Sequence, residues 1–212
     1  TVYNDNISRL ISEKIVIGGF FREENTNFYT SAINMKTGHF YDKRNLVPFG
    51  EFQPFGTLLK SFNEFFNIPN SSLSRGDANQ EKADWSALIC WELAFNKTFT
   101  DRAKGTKYII HMSNDKWYGE SMPAQHLQHA KARAVESNKW VVRATLDGIS
   151  QIISPRSNES SKSLDRGEKG SITHEISLND IDTFYLKHGD VPLLIISILS
   201  LIFGLYSRKN EK

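Results

Sequence analysis

The sequence is poor in cysteine, since Cys90 is the only one among 212 residues. A single cysteine excludes an intrachain disulfide and a zinc site built from several cysteines of this chain. The formal net charge of +2 creates no strong basic field, so the composition gives no support for a nucleic-acid-binding protein. Hydrophobic residues make up 39% of the chain, which is enough to build a core and excludes wholesale disorder.

Several short motifs that identify common enzyme classes are also missing. The sequence contains no GxSxG nucleophile elbow, no GxGxxG or GxxxxGKS/T phosphate-binding loop and no HExxH zinc motif. His126 and His129 are one helical turn apart, but nothing marks a third metal ligand. We therefore interpret both as surface histidines with satisfied hydrogen bonds. The sequence predicts neither a metal nor a cofactor.

Charge is absent from one long stretch near the C-terminus, residues 191–207. As a helix this stretch would span about 25 Å, at the short end for crossing a bilayer. A buried core helix is the alternative, but the run is apolar on all sides and basic residues follow it at 208–212. Tyr206 lies where an interfacial aromatic residue is expected. We predict a transmembrane helix over 191–207, a cytoplasmic tail over 208–212, and residues 1–190 on the opposite side of the membrane.

The N-terminal residues 1–13 contain no apolar segment of the kind found in a signal peptide. A domain that is exported needs a targeting element. We therefore expect the natural beginning of the protein to lie outside this sequence.

Strand-like and helical segments alternate through the middle of the chain, which is typical of a layered α/β core. Short β-rich runs predict strands at residues 14–20, 27–35, 39–41, 86–90, 107–112, 140–145, 149–154 and 171–178. The spacing of apolar residues predicts helices over residues 57–66 and 123–138. The dipeptide Asp147-Gly148 predicts a tight turn between two of the strands.

Cys90 stands at the end of a predicted buried strand and is followed by Trp91 and Glu92. A cysteine at the point where the chain leaves a sheet is well placed to face a pocket. A thiol attacks only as the thiolate, so a nucleophilic cysteine needs a nearby base or positive charge. Position alone leaves two interpretations open, an inert buried cysteine and a nucleophile.

Three blocks of sequence favour the nucleophile over the inert cysteine, because together they resemble a known family. They read YDKRNLVPFGE at residues 41–51, ICWE at residues 89–92 and SNDKWYG at residues 113–119, and further matching residues follow up to Ser150. In this combination and order, the chain resembles the nitrilase superfamily of carbon–nitrogen hydrolases. Within that superfamily it resembles the bacterial apolipoprotein N-acyltransferase family, to which the C-terminal apolar stretch also corresponds.

The resemblance implies a nitrilase-like αββα sandwich over residues 1–190, with its N-terminal strands missing, on the periplasmic face of the bacterial inner membrane. It further implies a glutamate–lysine–cysteine triad. Cys90 matches the nucleophile, and Lys43 matches the lysine that stabilises the oxyanion. Glu51 and Glu92 match supporting acids in and around the site.

The triad glutamate of the family follows a proline, upstream of the Ile-Gly-Gly strand. Glu13, Glu23 and Glu24 lie too close to that strand or beyond it, and none follows a proline. We therefore expect the triad glutamate to be absent from this chain, and the chain on its own to be inactive and poorly stable.

Aromatic residues near these blocks could bind the acyl chain. Trp91 stands where the resemblance implies an aromatic residue, more usually tyrosine. Phe49, Phe52, Phe55 and Trp117 could line an acyl entrance, and ordinary core packing is the alternative.

The implied reaction is acyl transfer. Cys90 would take an acyl chain from a phospholipid as a thioester, and the N-terminal amine of a diacylglyceryl-cysteine apolipoprotein would then receive it. Two alternatives stay open, namely an amidase that hydrolyses C–N bonds and a non-catalytic membrane-anchored remnant.

Overall fold

The computed structural model describes residues 16–54, 72–117 and 119–210. The predicted helix at residues 57–66 and the predicted acyl-entrance residue Phe55 lie outside these ranges. Within them the chain forms two β-sheets, with helices packed against one of the two.

The first sheet is antiparallel and has three strands, β1 (Val16–Glu24), β2 (Asn27–Asn34) and β3 (Phe40–Asp42), in that order. The predicted hairpin between residues 27–35 and 39–41 is therefore confirmed. β1 continues four residues beyond the predicted run, because it pairs with β2 as far as Glu24 opposite Asn27.

The second sheet has four strands in the order of the sequence. They are β4 (Trp85–Ile89), β5 (Tyr108–Asn114), β6 (Trp140–Leu146) and β7 (Gln151–Ile153). The first three strands are parallel, and β7 returns antiparallel to β6 through the predicted turn. Helix α1 (Asn96–Ala103) connects β4 to β5, and helix α2 (Met122–Ser137) connects β5 to β6. These crossovers confirm the α/β class predicted from the alternation of elements.

The two sheets pack face to face through small and apolar side chains. Ala32 and Tyr41 of the first sheet form one buried cluster with Ala87 and Ile89 of β4. The sheets approach so closely at Gly18 that an added Cβ atom would lie 1.7 Å from the sulfur of Met112. Glycine is required at this contact unless the methionine moves.

Helices cover the opposite face of the four-stranded sheet. Side chains alternate along each strand, so Leu88, between Ala87 and Ile89, points away from the first sheet and into the helical layer. This second cluster contains Leu88, Leu93, Phe99, Ala103, Ile109, Leu127, Ala130, Ala134, Val141, Ile153 and Leu186, the last from the short helix α3 (Phe184–His188). The small residues Ala130 and Ala134 let α2 lie close to the sheet, as their spacing predicted.

The predicted strand at residues 171–178 is wrong, because the structure has irregular chain there. A strand needs a free sheet edge, and the outer edge of β7 is already used by the preceding segment. Ser161 donates its backbone N–H to Ile152, and Ser150 and Leu164 exchange two backbone hydrogen bonds. Spaced apolar residues such as Ile172, Ile176 and Leu178 do not create a strand without unpaired backbone groups to bond.

The apolar stretch near the C-terminus forms helix α4 (Val191–Asn210). Its window Val191–Arg208 is long and apolar enough to cross a membrane, and none of that window is buried inside the protein. The alternative of a buried core helix is therefore wrong for the described structure. Among the described residues its apolar side chains are largely exposed, as Phe203 is at 71%.

Candidate active site

Cys90 lies where β4 ends and the chain turns away from the sheet. It is the first residue of a short 3₁₀ turn, Cys90–Ala94, and it is partly exposed. Its backbone φ of 57° is in the left-handed region, which costs a non-glycine residue about 1–2 kcal/mol. Strained backbone of this kind clusters at functional sites, where the surrounding structure has to hold it in place.

Lys43, which directly follows β3, has a buried ammonium group. The side chain is 1% exposed, and Nζ lies 2.7 and 2.8 Å from the two carboxylate oxygens of Glu51. Glu51 also accepts a hydrogen bond from the backbone N–H of Val47, which fixes the carboxylate. Within the described ranges, Glu51 is the only hydrogen-bond partner of the ammonium group. Since an ammonium group has three donors, Lys43 can still stabilise another negative group.

Glu92 is a fully buried carboxylate in the third position of the 3₁₀ turn. It accepts hydrogen bonds from the backbone N–H groups of Arg44 at 2.7 Å, Asn45 at 3.1 Å and Ile89 at 2.8 Å. The hydroxyl of Tyr41 donates to the same carboxylate at 2.9 Å. Burial raises the pKa of Glu92 above its ordinary value of 4.5, and the three backbone donors oppose that rise.

The contacts of Glu92 connect two parts of the site. Arg44 and Asn45 follow Lys43 directly, and Ile89 precedes Cys90. One buried carboxylate thus holds the loop of the lysine against the strand end of the cysteine. Glu92 therefore bridges these two segments through hydrogen bonds to their backbone N–H groups.

Gly76 packs against the other side of the loop that carries Lys43. Its N–H donates to the Lys43 carbonyl at 2.9 Å, and a Cβ atom added at Gly76 would lie 2.1 Å from the Asp42 carbonyl oxygen. The backbone has to shift to accept that atom, so Gly76→Ala is expected to lower the free energy of unfolding by about 1–3 kcal/mol. Urea unfolding followed by circular dichroism measures this loss.

Gly119→Ala is the matched control for this prediction. Nothing lies within 4 Å of a Cβ atom at Gly119, so the same substitution should change the free energy of unfolding by less than about 0.5 kcal/mol. Equal stabilities of the two variants would contradict the close packing at Gly76.

The aromatic residues singled out in the sequence differ in their surroundings. Trp91 donates its Nε1–H to the carbonyl of Asn45 at 2.7 Å and packs edge-on against Phe95, so it is part of the same loop contact. Phe49 and Trp117 are 43% and 83% exposed. Core packing is therefore wrong for these two residues.

A buried polar network next to Cys90 was missed by the sequence analysis. His111 Nε2 lies 2.8 Å from the Cys90 carbonyl oxygen, and His111 Nδ1 lies 2.6 Å from Arg143. Arg143 pairs with Asp115 at 2.9 Å, and Asp115 lies 2.8 Å from His126 Nδ1. The interpretation of His126 as a surface residue is wrong, because it is 4% exposed, whereas His129 is exposed.

The signal for this network is a pair of charged or polar residues inside apolar strands. His111 lies within β5 and Arg143 within β6, and the two are direct neighbours in the parallel register. Such residues inside buried strands need partners, which makes them candidates for a network. The sequence alone does not give the register that brings them together.

A depression between the two sheets adjoins this site through Tyr41, whose hydroxyl donates to Glu92. It is lined by residues that include Tyr41, Trp85 and Arg102, where β4 begins, at the other end of the strand from Cys90. Within residues 16–54, 72–117 and 119–210, no three histidine, cysteine, aspartate or glutamate side chains are grouped to hold a metal ion.

Sequence comparison gives the family. Residues 13–185 match the carbon-nitrogen hydrolase family. The chain belongs to the carbon-nitrogen hydrolase family. This membership confirms the resemblance inferred from the three sequence blocks. The matched range includes both sheets and helices α1 and α2.

Relatives within this family share one name. The chain is 32% identical to the apolipoprotein N-acyltransferase of Shewanella oneidensis, over 98% of the chain and 45% of that protein. It is 33% identical to the apolipoprotein N-acyltransferase of Pasteurella multocida, over 99% of the chain and 41% of that protein. The chain therefore spans less than half the length of these curated relatives.

A solved structure supports the fold. The glutamine-dependent NAD+ synthetase of Acinetobacter baumannii aligns with a TM-score of 0.56 and 16% identity, over 78% of this chain and 32% of that chain. At this level of identity, the likeness concerns the fold alone. The expected nitrilase-type α/β fold is confirmed.

Proposed function

We propose that this chain contains the acyl-transfer site of an apolipoprotein N-acyltransferase, with Cys90 as the nucleophile. The observation that carries the proposal is the link through Glu92, which holds the buried ammonium loop of Lys43 against the strained turn of Cys90. The curated relatives of the chain, which bear that name, support the same assignment.

The first half-reaction forms a thioester. A general base, the glutamate that the family resemblance implies outside this chain, takes the proton of the Cys90 thiol. The thiolate attacks the ester carbonyl carbon of a phospholipid, and the carbonyl oxygen becomes a tetrahedral oxyanion. Lys43, held by Glu51, donates a hydrogen bond to that oxyanion as a preorganised positive charge. Collapse of the intermediate breaks the ester bond, and the protonated base returns its proton to the departing oxygen, so the lysophospholipid leaves as an alcohol.

The second half-reaction transfers the acyl chain to an amine. The N-terminal amine of a diacylglyceryl-cysteine apolipoprotein attacks the thioester, and Lys43 stabilises the second oxyanion in the same position. The base removes a proton from the attacking amine, the C–S bond breaks, the thiolate leaves and regains a proton from the base, and the acceptor carries a new amide bond. Two half-reactions that share one covalent intermediate give ping-pong kinetics.

Helix α4 supports a location of the site beside a membrane. We assign residues 1–190 to the acyltransferase domain, residues 191–207 to a transmembrane helix and residues 208–212 to a cytoplasmic tail. The basic residues of the tail favour the cytoplasmic side, and on that ground we propose that the catalytic domain lies in the periplasm at the bacterial inner membrane. The exposed rings of Phe49 and Trp117 suit contact with acyl chains that arrive from the bilayer.

Intact-mass spectrometry tests the proposal. The protein in its natural length is incubated with phospholipid vesicles, alongside Cys90→Ser. We expect the wild type to gain the mass of one fatty-acyl group and Cys90→Ser to show no such gain. Addition of a diacylglyceryl lipopeptide should remove the acyl group from the wild type, and the lipopeptide should become acylated. The 212-residue chain alone is expected not to acylate the lipopeptide.

Three outcomes would count against the proposal. An increment in Cys90→Ser on a peptide that does not contain residue 90 would move the nucleophile elsewhere. Release of free fatty acid to water, with no amide formed on the lipopeptide, would favour the amidase that the family name suggests. No increment at all on the natural-length protein would favour a non-catalytic membrane-anchored remnant.

A further inference from the structure

The buried network behind Cys90 ends on the backbone of the cysteine itself. His111 is fully buried on β5, and its Nε2 lies 2.8 Å from the Cys90 carbonyl oxygen. Cys90 adopts a left-handed backbone conformation that a side chain does not favour. A hydrogen bond to its carbonyl oxygen opposes the return of the turn to a relaxed conformation.

Arg143 determines which nitrogen of His111 carries the proton. The guanidinium group of Arg143 has donors only, and its Nη1 lies 2.6 Å from His111 Nδ1. Nδ1 must therefore accept, so the proton of a neutral imidazole is on Nε2, where it faces the Cys90 carbonyl. Burial, and then the charge of Arg143, hold the pKa of His111 well below its ordinary value of 6.5, which keeps the ring neutral.

Arg143 is itself held in place from two sides. Its Nη2 donates to Asp115 at 2.9 Å, and its Nε donates to the carbonyl of Ile149 at 3.0 Å. Asp115 is fixed in turn by the Ser113 hydroxyl at 2.5 Å and by His126 at 2.8 Å. Burial alone would raise the pKa of Asp115, but the bonds from His126 and Ser113 and the charge of Arg143 bring that pKa below 3.8.

We propose that His111 is a positioning residue for Cys90, which fixes the strained turn of the nucleophile through a hydrogen bond from Nε2 to the Cys90 carbonyl. Arg143, Asp115 and His126 set the tautomer and orientation of the imidazole. The assignment of Cys90 as nucleophile rests on the proposed function, whereas the hydrogen bond itself does not.

Kinetic measurements on the natural-length protein separate positioning from general packing. The rate of Cys90 acylation by phospholipid depends on the alignment of the thiol with Lys43, whereas alkylation by iodoacetamide needs only an accessible thiolate. We expect His111→Leu to reduce the acylation rate about tenfold to a hundredfold and to change the alkylation rate much less. Peptide masses assign both modifications to Cys90.

His111→Gln and His129→Leu are the matched variants. Glutamine can place an N–H donor near the position of Nε2, so His111→Gln should recover most of the acylation rate. His129 is an exposed histidine on α2, so His129→Leu should leave both rates unchanged. The proposal would be overturned if His111→Leu were acylated at the wild-type rate. It would also be overturned if His111→Leu and His111→Gln lost the same fraction of the acylation rate.

The protonation of the two His111 ring nitrogens can be tested by NMR. This test requires neither enzymatic activity nor a folded His111→Leu variant. In the ¹⁵N spectrum of histidine-labelled wild-type protein, the signals lost in His111→Gln belong to His111. We expect a protonated Nε2 and a bare Nδ1 at neutral pH. A proton on Nδ1, or an imidazolium, overturns the positioning role. If the tautomer is as expected but Cys90 accepts no acyl group, only the proposed function fails.

Discussion

Replacing Lys43 by methionine is expected to slow the acylation of Cys90 by phospholipid about 10²–10³-fold, the usual cost of removing one oxyanion donor. Methionine preserves most of the volume of the lysine side chain but provides no positive charge and no hydrogen-bond donor. The rate is measured as the appearance of acyl-Cys90 by intact mass, under single-turnover conditions with the natural-length protein. Binding of phospholipid vesicles should be unchanged, because the lost interaction forms mainly in the transition state.

Lys139→Met controls for the loss of a buried lysine as such. Lys139 is also fully buried and pairs with Asp182 at 3.1 Å, but it lies at the start of β6, at the opposite end of the parallel strands from Cys90. Both variants should lose stability, since each leaves a carboxylate without its partner. Only Lys43→Met should lose acylation in the folded protein. Acylation at the wild-type rate in Lys43→Met would remove Lys43 from the proposed mechanism.

Replacing Glu92 by alanine is expected to lower the free energy of unfolding by about 3–5 kcal/mol. The substitution leaves the backbone N–H groups of Arg44, Asn45 and Ile89 and the Tyr41 hydroxyl without an acceptor, and each unsatisfied buried donor costs about 1–3 kcal/mol. Relaxation of the backbone and entry of water reduce the total cost of the four unsatisfied donors. Urea unfolding of the natural-length protein in detergent, followed by tryptophan fluorescence, measures the difference.

Glu159→Ala is the control for losing a glutamate. Its carboxylate is 44% exposed and pairs with Arg156 at 3.4 Å, so this variant should lose less than about 1 kcal/mol. Glu92→Ala should also slow acylation, because the loop of Lys43 is no longer held against Cys90. A Glu92→Ala protein with native stability and reduced acylation would show that Glu92 acts on the reaction directly, against the positioning role.

The sign of the pH effect at Glu92 follows from its raised pKa. A carboxyl group whose pKa is higher in the folded state than in the unfolded state binds more protons when folded. Burial of Glu92 therefore lowers the free energy of unfolding as the pH rises above 4.5, the ordinary pKa of a glutamate side chain. The four hydrogen bonds that the ionised group accepts offset only part of this cost, since the pKa of Glu92 is raised with them in place.

Regular elements with a clear local pattern were predictable from the sequence. The buried run before Cys90, the helix with Ala130 and Ala134 on one face, and the turn at Asp147 all have the predicted structure. Each depends on residues close together in the chain, so local spacing contains the signal. The strand predicted at 171–178 failed because strand formation also depends on a partner edge, which no local pattern reports.

Part of the candidate site was predictable as well, but only as a set of residues. Cys90, Lys43, Glu51 and Glu92 came from three sequence blocks in a fixed order, without any statement of which residues touch. The structure adds that Glu51 bonds directly to Lys43, and that Glu92 bonds to the neighbours of Lys43 and Cys90. These contacts join residues up to 48 positions apart, so they depend on how the two sheets face each other.

The sequence by itself determined the α/β class, the family and the exceptional position of its single cysteine at the end of a buried strand. It also determined that the stretch at 191–207 is apolar enough for a membrane. Only the tertiary structure decided that His126 is buried and that His111 reaches the Cys90 backbone. The physical reason is that burial and hydrogen bonding between strands are set by register and by sheet packing. A one-residue change of register would turn His111 to the opposite face of β5.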